Sequence, residues 1–288
     1  MITYNPKDWW KLIFAFHRSD SFRMLLPGMV AVGVYTAGVA YLETQLFHVT
    51  FRNTTLVHSL IGFVLSMLLI FRTNTAYDRW WEGRRLWGGL VNNSRNLALK
   101  LQALLGPGAT AERAMFRSLI LNFVVAAKEH LRQGVRAESL QAAGSHAVED
   151  FLGARHVPNR ILALLFSEVI RLQQSGRLTG EQLLFLNSEL QSFADTLGAC
   201  ERIRKTPIPY AYSLFLKKII FLYVFTMPIG FVLDYGYWAV PVVAFVFYAF
   251  ASIEVIAEEI EDPFGTDAND LPLDSISDTI RANLEEIL

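Results

Sequence analysis

The stretch FRTNTAYDRWWEGRR, residues 71–85, decides how this chain is built. Upstream of it, Asn53–Phe71 gives nineteen residues without a formal charge, rich in Leu, Ile, Val and Phe. That is enough to cross a hydrocarbon core of ~30 Å. A membrane helix normally stops at its first arginine, yet nothing here stops it. No proline intervenes, and after Gly62 the next glycine is Gly83. Helical spacing of apolar residues persists through Trp81, Leu86 and Leu90. The sequence therefore predicts one unbroken helix. It leaves an apolar environment and carries Asp78, Arg79, Trp80, Trp81, Glu82, Arg84 and Arg85 onward. A helix ending at Phe71, with the tryptophans as an interfacial aromatic belt, is the alternative.

Composition supports a membrane setting. Of 288 residues 52% are hydrophobic, and the mean hydropathy is +0.30. A net charge of -1 gives no global field that would select nucleic acid. The single cysteine, Cys200, cannot form an intramolecular disulfide and reads as a small core residue. The opening MITYNPKDWWKLIFAFHRSD lacks the long apolar core of a cleavable signal. It reads as an amphipathic surface helix, with Trp9, Trp10, Leu12, Ile13 and Phe16 able to bury against lipid.

Four spans are expected: Leu25–Leu42, Asn53–Phe71, Ile219–Leu233 within the weaker run Pro209–Leu233, and Tyr235–Ile253. Lys217 and Lys218 sit at one end of the third, where they can snorkel. Of the 26 basic residues only Arg52 lies in a link between spans one and two or three and four. Both termini and the large middle block are therefore placed on the cytoplasmic side. In that block, apolar residues recur at three- and four-residue spacing, with breaks at Gly106-Pro107-Gly108, Gly144, Pro158 and Gly176. The fold class expected is an all-α membrane protein. Its partition is 1–83 (surface helix and spans one and two), 84–205 (cytoplasmic helical domain), 206–260 (spans three and four) and 261–288 (acidic C-terminal tail).

On the second span, Phe63, Met67 and Phe71 fall at i, i+4 and i+8 and form one stripe. Gly62 and Ser66 beside them are small enough to let helices approach closely. Spacing alone leaves lipid, core or pore open for the stripe.

Three blocks carry a family resemblance: SLIGFVLSMLLIFRTNTAYDRWWEGRRLWGGLVNNSR, GACERIRKTPIPYAYSL and EEIEDPFGTDANDLPL. Together they resemble the bestrophin family of ion channels, most closely its prokaryotic branch. The resemblance implies a homopentamer of four-span subunits in a bacterial inner membrane. In that family the second helix lines a narrow neck and continues into a cytosolic vestibule. It places the neck rings on Phe63, Met67 and Phe71, with Met67 departing from the usual Ile or Phe. Pro209 matches the proline that opens the third span, and Glu181 falls at the vestibule aperture, where an apolar residue is commoner.

Asp234 and Glu181 put negative charge at the two pore mouths, so the reading favours small monovalent cations such as sodium. An anion channel of the same architecture is the alternative, followed by a secondary transporter or a membrane-anchored scaffold. The acidic residues Glu258, Glu259, Glu261, Asp262, Asp267 and Asp270 form a possible cation cluster. In this chain PFGT splits them, and ordinary surface pairing competes with that reading. Glu254 reads either as a helix-terminal charge or as part of a lining. His58 could be an interfacial polar residue or a pH sensor. The six histidines show no i, i+4 metal pairing and no catalytic motif is present. Neither an enzyme, a cofactor nor a metal site is expected. The partners expected are other copies of the chain, permeating ions and membrane lipids.

Overall fold

A computed structural model describes Trp10, residues 20–46 and residues 55–288. The surface helix expected at the N-terminus lies almost wholly outside the described residues. Those described form nine α-helices: α1 Asp20–Tyr41, α2 Thr55–Leu105, α3 Thr110–His130, α4 Val148–Leu152, α5 Val157–Gln174, α6 Gly180–Lys205, α7 Tyr210–Tyr235, α8 Ala239–Glu261 and α9 Leu273–Ile287. Among these residues no β-strand occurs beyond one isolated bridge, Ala143 to His146.

Two compact units emerge. The first combines the described residues up to Arg79 with Pro207–Glu261. Among the described residues, the apolar helical stretches long enough to cross a membrane are Ser21–Leu46, Leu56–Leu105 and Tyr210–Glu261. The last is folded into α7 and α8 by a 3-10 turn at Gly236–Trp238, where Gly236 takes φ +55°. Only glycine adopts that backbone conformation without strain. The packing is close: a Cβ at Gly28 would stand 2.9 Å from the Phe247 ring, so glycine is what lets α1 and α8 meet. Tyr35 stacks on Phe225 and donates its hydroxyl to the Phe225 carbonyl at 3.0 Å.

The second unit is a helical bundle made of residues 80–206 and 262–288. Trp87, Leu90 and Leu97 of α2 pack with Phe116 and Phe123 of α3, Leu165 of α5 and Phe193 of α6. Phe123 stacks on Phe193 with ring centres 5.0 Å apart. The breaks read from sequence have physical counterparts. Gly106 and Gly176 take φ of +71° and +74°, the left-handed turn that ends a helix, and Pro158 sits in the first turn of α5. Residues 261–288 are more than a tail. In α9, Leu273, Ile276, Ile280 and Leu284 are buried in the core, while Asp274 accepts from Lys128 and Arg132 at 2.8 and 2.9 Å. Cys200 is buried in the same core, and that burial pushes its thiol up to about 12, so it is inert as a nucleophile.

Candidate ion-conduction path along helix α2

Helix α2 runs 51 residues without interruption and contains the whole of FRTNTAYDRWWEGRR. At 100° per residue its two faces separate cleanly. Leu65, Leu69, Arg72, Ala76, Trp87, Leu90, Ser94 and Leu101 lie on one side, and all are buried. Half a turn away lie Phe63, Met67 and Phe71, which are 62%, 43% and 57% exposed. Asn74, Asp78, Trp81, Arg85, Asn92 and Asn96 continue that side in the same register, and all are exposed. The stripe changes from apolar to polar just past Phe71.

The reason for this division lies in the first unit. Leu65 and Leu69 pack on Leu216, Ile220 and Val224 of α7. At Gly62 a Cβ would stand 2.8 Å from the Tyr223 hydroxyl, so the close approach expected of this small residue is real. Ser66 turns its hydroxyl back to the Gly62 carbonyl at 2.8 Å, and the Tyr212 hydroxyl reaches the Leu68 carbonyl at 3.0 Å. With that face occupied, Phe63, Met67 and Phe71 lie outside the packed core of the first unit. His58 meets Thr226 of α7 at 3.2 Å, on the buried side rather than on the stripe.

Just below the apolar part, Arg72 is 1% exposed and paired. One guanidinium nitrogen lies 2.7 Å from Glu261 and another 3.5 Å from Glu254. Glu261 also accepts from the Ile208 N–H at 2.6 Å through its other oxygen, and its carbonyl accepts from Arg79 at 3.0 Å. The arginine expected to end the span is thus neutralised within the first unit, which is why α2 continues past it. Sequence reading missed this node because its members lie far apart in the chain. The charged residue at an apolar helix end, Glu254, was the available signal.

Within the second unit, Trp80 donates to the Asn269 carbonyl at 3.0 Å, and Gly83 admits Phe264 and Leu271. The tryptophan run is therefore divided: Trp80 docks on the C-terminal segment while Trp81 is 52% exposed.

The remaining sequence candidates are scattered. Asp234 is exposed at the end of α7. Glu181 is exposed in the first turn of α6, where the Thr179 hydroxyl and the local backbone N–H hold its carboxyl below the usual range. Of the acidic group, Glu258 pairs with Lys217 at 2.8 Å and Glu261 with Arg72. Asp270 is buried and accepts from the Asp267 N–H at 2.6 Å, bracing its own loop. Among the described residues one trio of side chains comes close enough to hold an ion, and it lies elsewhere.

Burial raises Asp270 to about 6. A carboxyl whose folded value exceeds its unfolded one holds its proton in the native state, so ionisation weakens folding as pH rises from about 4 through 6. The shift corresponds to about 3 kcal/mol. Asp270→Asn is therefore expected to melt above wild type at pH 7.5, with the gap closing as pH falls toward 4. A gap that does not change with pH would contradict this.

The profile of the family described as Bacterial/Fungal Bestrophin protein matches residues 1–286. The chain belongs to the bestrophin family. A bacterial Bestrophin homolog from Klebsiella pneumoniae, solved by crystallography as a point variant, is 30% identical and superposes with a TM-score of 0.85 over 92% of this chain and 98% of that one. A voltage-dependent anion channel-forming protein of Nostoc is 40% identical over 78% of this chain and 74% of its own length. The Escherichia coli protein YneE, of the same description, is 31% identical over 99% of this chain and 93% of its own. The Nostoc and Escherichia coli proteins are named for forming anion channels, which overturns the cation preference read from Asp234 and Glu181. Physically, an exposed carboxylate is screened within about 8 Å at physiological salt. Phe63, Met67 and Phe71 carry no charge and impose no sign of their own.

Proposed function

We propose that this bestrophin assembles as a pentamer in the bacterial inner membrane and conducts anions along an axis walled by the exposed stripe of α2. Each subunit crosses four times, through α1, α2, α7 and α8, with both termini cytoplasmic. Phe63, Met67 and Phe71 form the neck, and Asn74, Asn92, Asn96 and Arg85 offer N–H donors to a passing anion beyond it. The observation that carries the proposal is the two-faced α2. An apolar stripe left open by its own subunit continues in register into a polar one on an unbroken helix. The anion sign rests on the relatives' names. Chloride efflux from loaded liposomes tests the whole: a channel gives non-saturating release, a transporter saturates, and a membrane-anchored scaffold releases nothing.

Glu181 is assigned to the vestibule aperture, with the exposed Leu184 and Phe185 beside it on α6. Carboxylates near the axis oppose anions, so Glu181→Lys is expected to move the reversal potential further toward chloride at low salt. The shift should fade near 1 M, where the Debye length is about 3 Å. A reversal potential indifferent to this swap at low salt would place Glu181 away from the axis.

A further inference from the structure

Three side chains distant in sequence converge in the helical bundle. His130 ends α3, His156 caps the start of α5, and Glu201 lies near the end of α6. The Nε2 atoms of His130 and His156 stand 2.9 and 2.6 Å from the same Glu201 oxygen. The two rings are 4.4 Å apart, and the three ligating atoms lie within 4.8 Å of one another. All three side chains are partly open to solvent, which gives an ion a way in.

We propose that His130, His156 and Glu201 form a binding site for a borderline divalent transition ion, zinc being the best fit. Two imidazoles and one carboxylate, with a fourth position left to water, are a donor set that zinc takes. Calcium and magnesium prefer all-oxygen shells and are disfavoured by the two nitrogens. The ion would cross-link three helices at the point where both imidazoles share one carboxylate and Arg204 donates to the His130 carbonyl. Two features moderate its affinity. Lys205 lies 3.5 Å from the other Glu201 oxygen and competes for it. His156 Nδ1 accepts from the Asn159 N–H at 3.2 Å, and zinc on Nε2 moves the ring proton to Nδ1, so that capping bond is given up on binding.

The test is zinc titrated against a chromophoric chelator into the purified, metal-stripped full-length protein, alongside Glu201→Gln and His156→Asn. Glutamine keeps an acceptor for the histidines, and asparagine is itself a favoured helix cap, so both variants should fold. Size-exclusion and circular dichroism profiles matching wild type confirm that. Loss of an outer-shell partner alone costs about 10–100-fold in metal affinity, so removing a direct ligand should weaken zinc by more than about tenfold. Zinc should also raise the melting temperature of wild type and not of the variants, while calcium should raise neither. Equal zinc affinity in wild type and both folded variants would overturn the site, as would a wild type that cannot compete with the chelator.

Discussion

Phe63→Ala, Met67→Ala and Phe71→Ala are each expected to raise the single-channel current, or the open time, severalfold without loss of assembly. On the proposed path these side chains form the neck, where trimming an apolar ring widens the constriction and lowers the cost of keeping it wet. Their exposure is what separates this outcome from a packing defect. An exposed side chain that touches little changes stability by about 0.5 kcal/mol or less when truncated. A buried leucine or phenylalanine costs about 2–5 kcal/mol. On the opposite face, Leu65→Ala and Leu69→Ala serve as controls, because these residues are buried against α7. They should lower the yield of folded protein with no gain of current. If the three stripe variants behaved like the two controls, the stripe would be a packing surface rather than a pore wall.

Arg72→Leu is expected to be among the most damaging single changes in the chain. It leaves Glu254 and Glu261 beside an apolar side chain, with Glu254 buried. Breaking a buried pair by removing one partner costs about 3–5 kcal/mol, because the surviving charge is uncompensated. Melting of the purified protein should fall well below wild type. Adding Glu254→Gln and Glu261→Gln to Arg72→Leu should recover part of the loss, since buried ionic groups replaced together can be close to neutral. A single variant as stable as wild type would mean that this node does not hold the end of the span.

What could be read from residues alone was what local pattern controls. The unbroken α2 followed from the lack of any breaker between Phe71 and Gly83. The stripe followed from i, i+4 and i+8 spacing, and the close approach at Gly62 from its size. What sequence could not supply were pairings set by the tertiary fold. Arg72 with Glu254 and Glu261, or His130 with His156 and Glu201, join helices separated by many residues. No spacing rule sees such neighbours. Helix α9 was hidden for another reason: Asp274, Asp278, Glu285 and Glu286 fill its exposed side, and an acidic composition masks the period of the buried Leu273, Ile276, Ile280 and Leu284. The ion sign was not legible because Asp234 and Glu181 are exposed carboxylates, and exposed, screened charge does not fix which ion passes.

The sharpest measurement is the reversal potential of the purified protein in planar bilayers under a potassium chloride gradient. Conduction of anions along the α2 stripe predicts unitary currents reversing near the chloride equilibrium potential, and larger currents in Phe71→Ala with the same sign of selectivity. Currents reversing near the potassium potential, or none from correctly assembled protein, would contradict it.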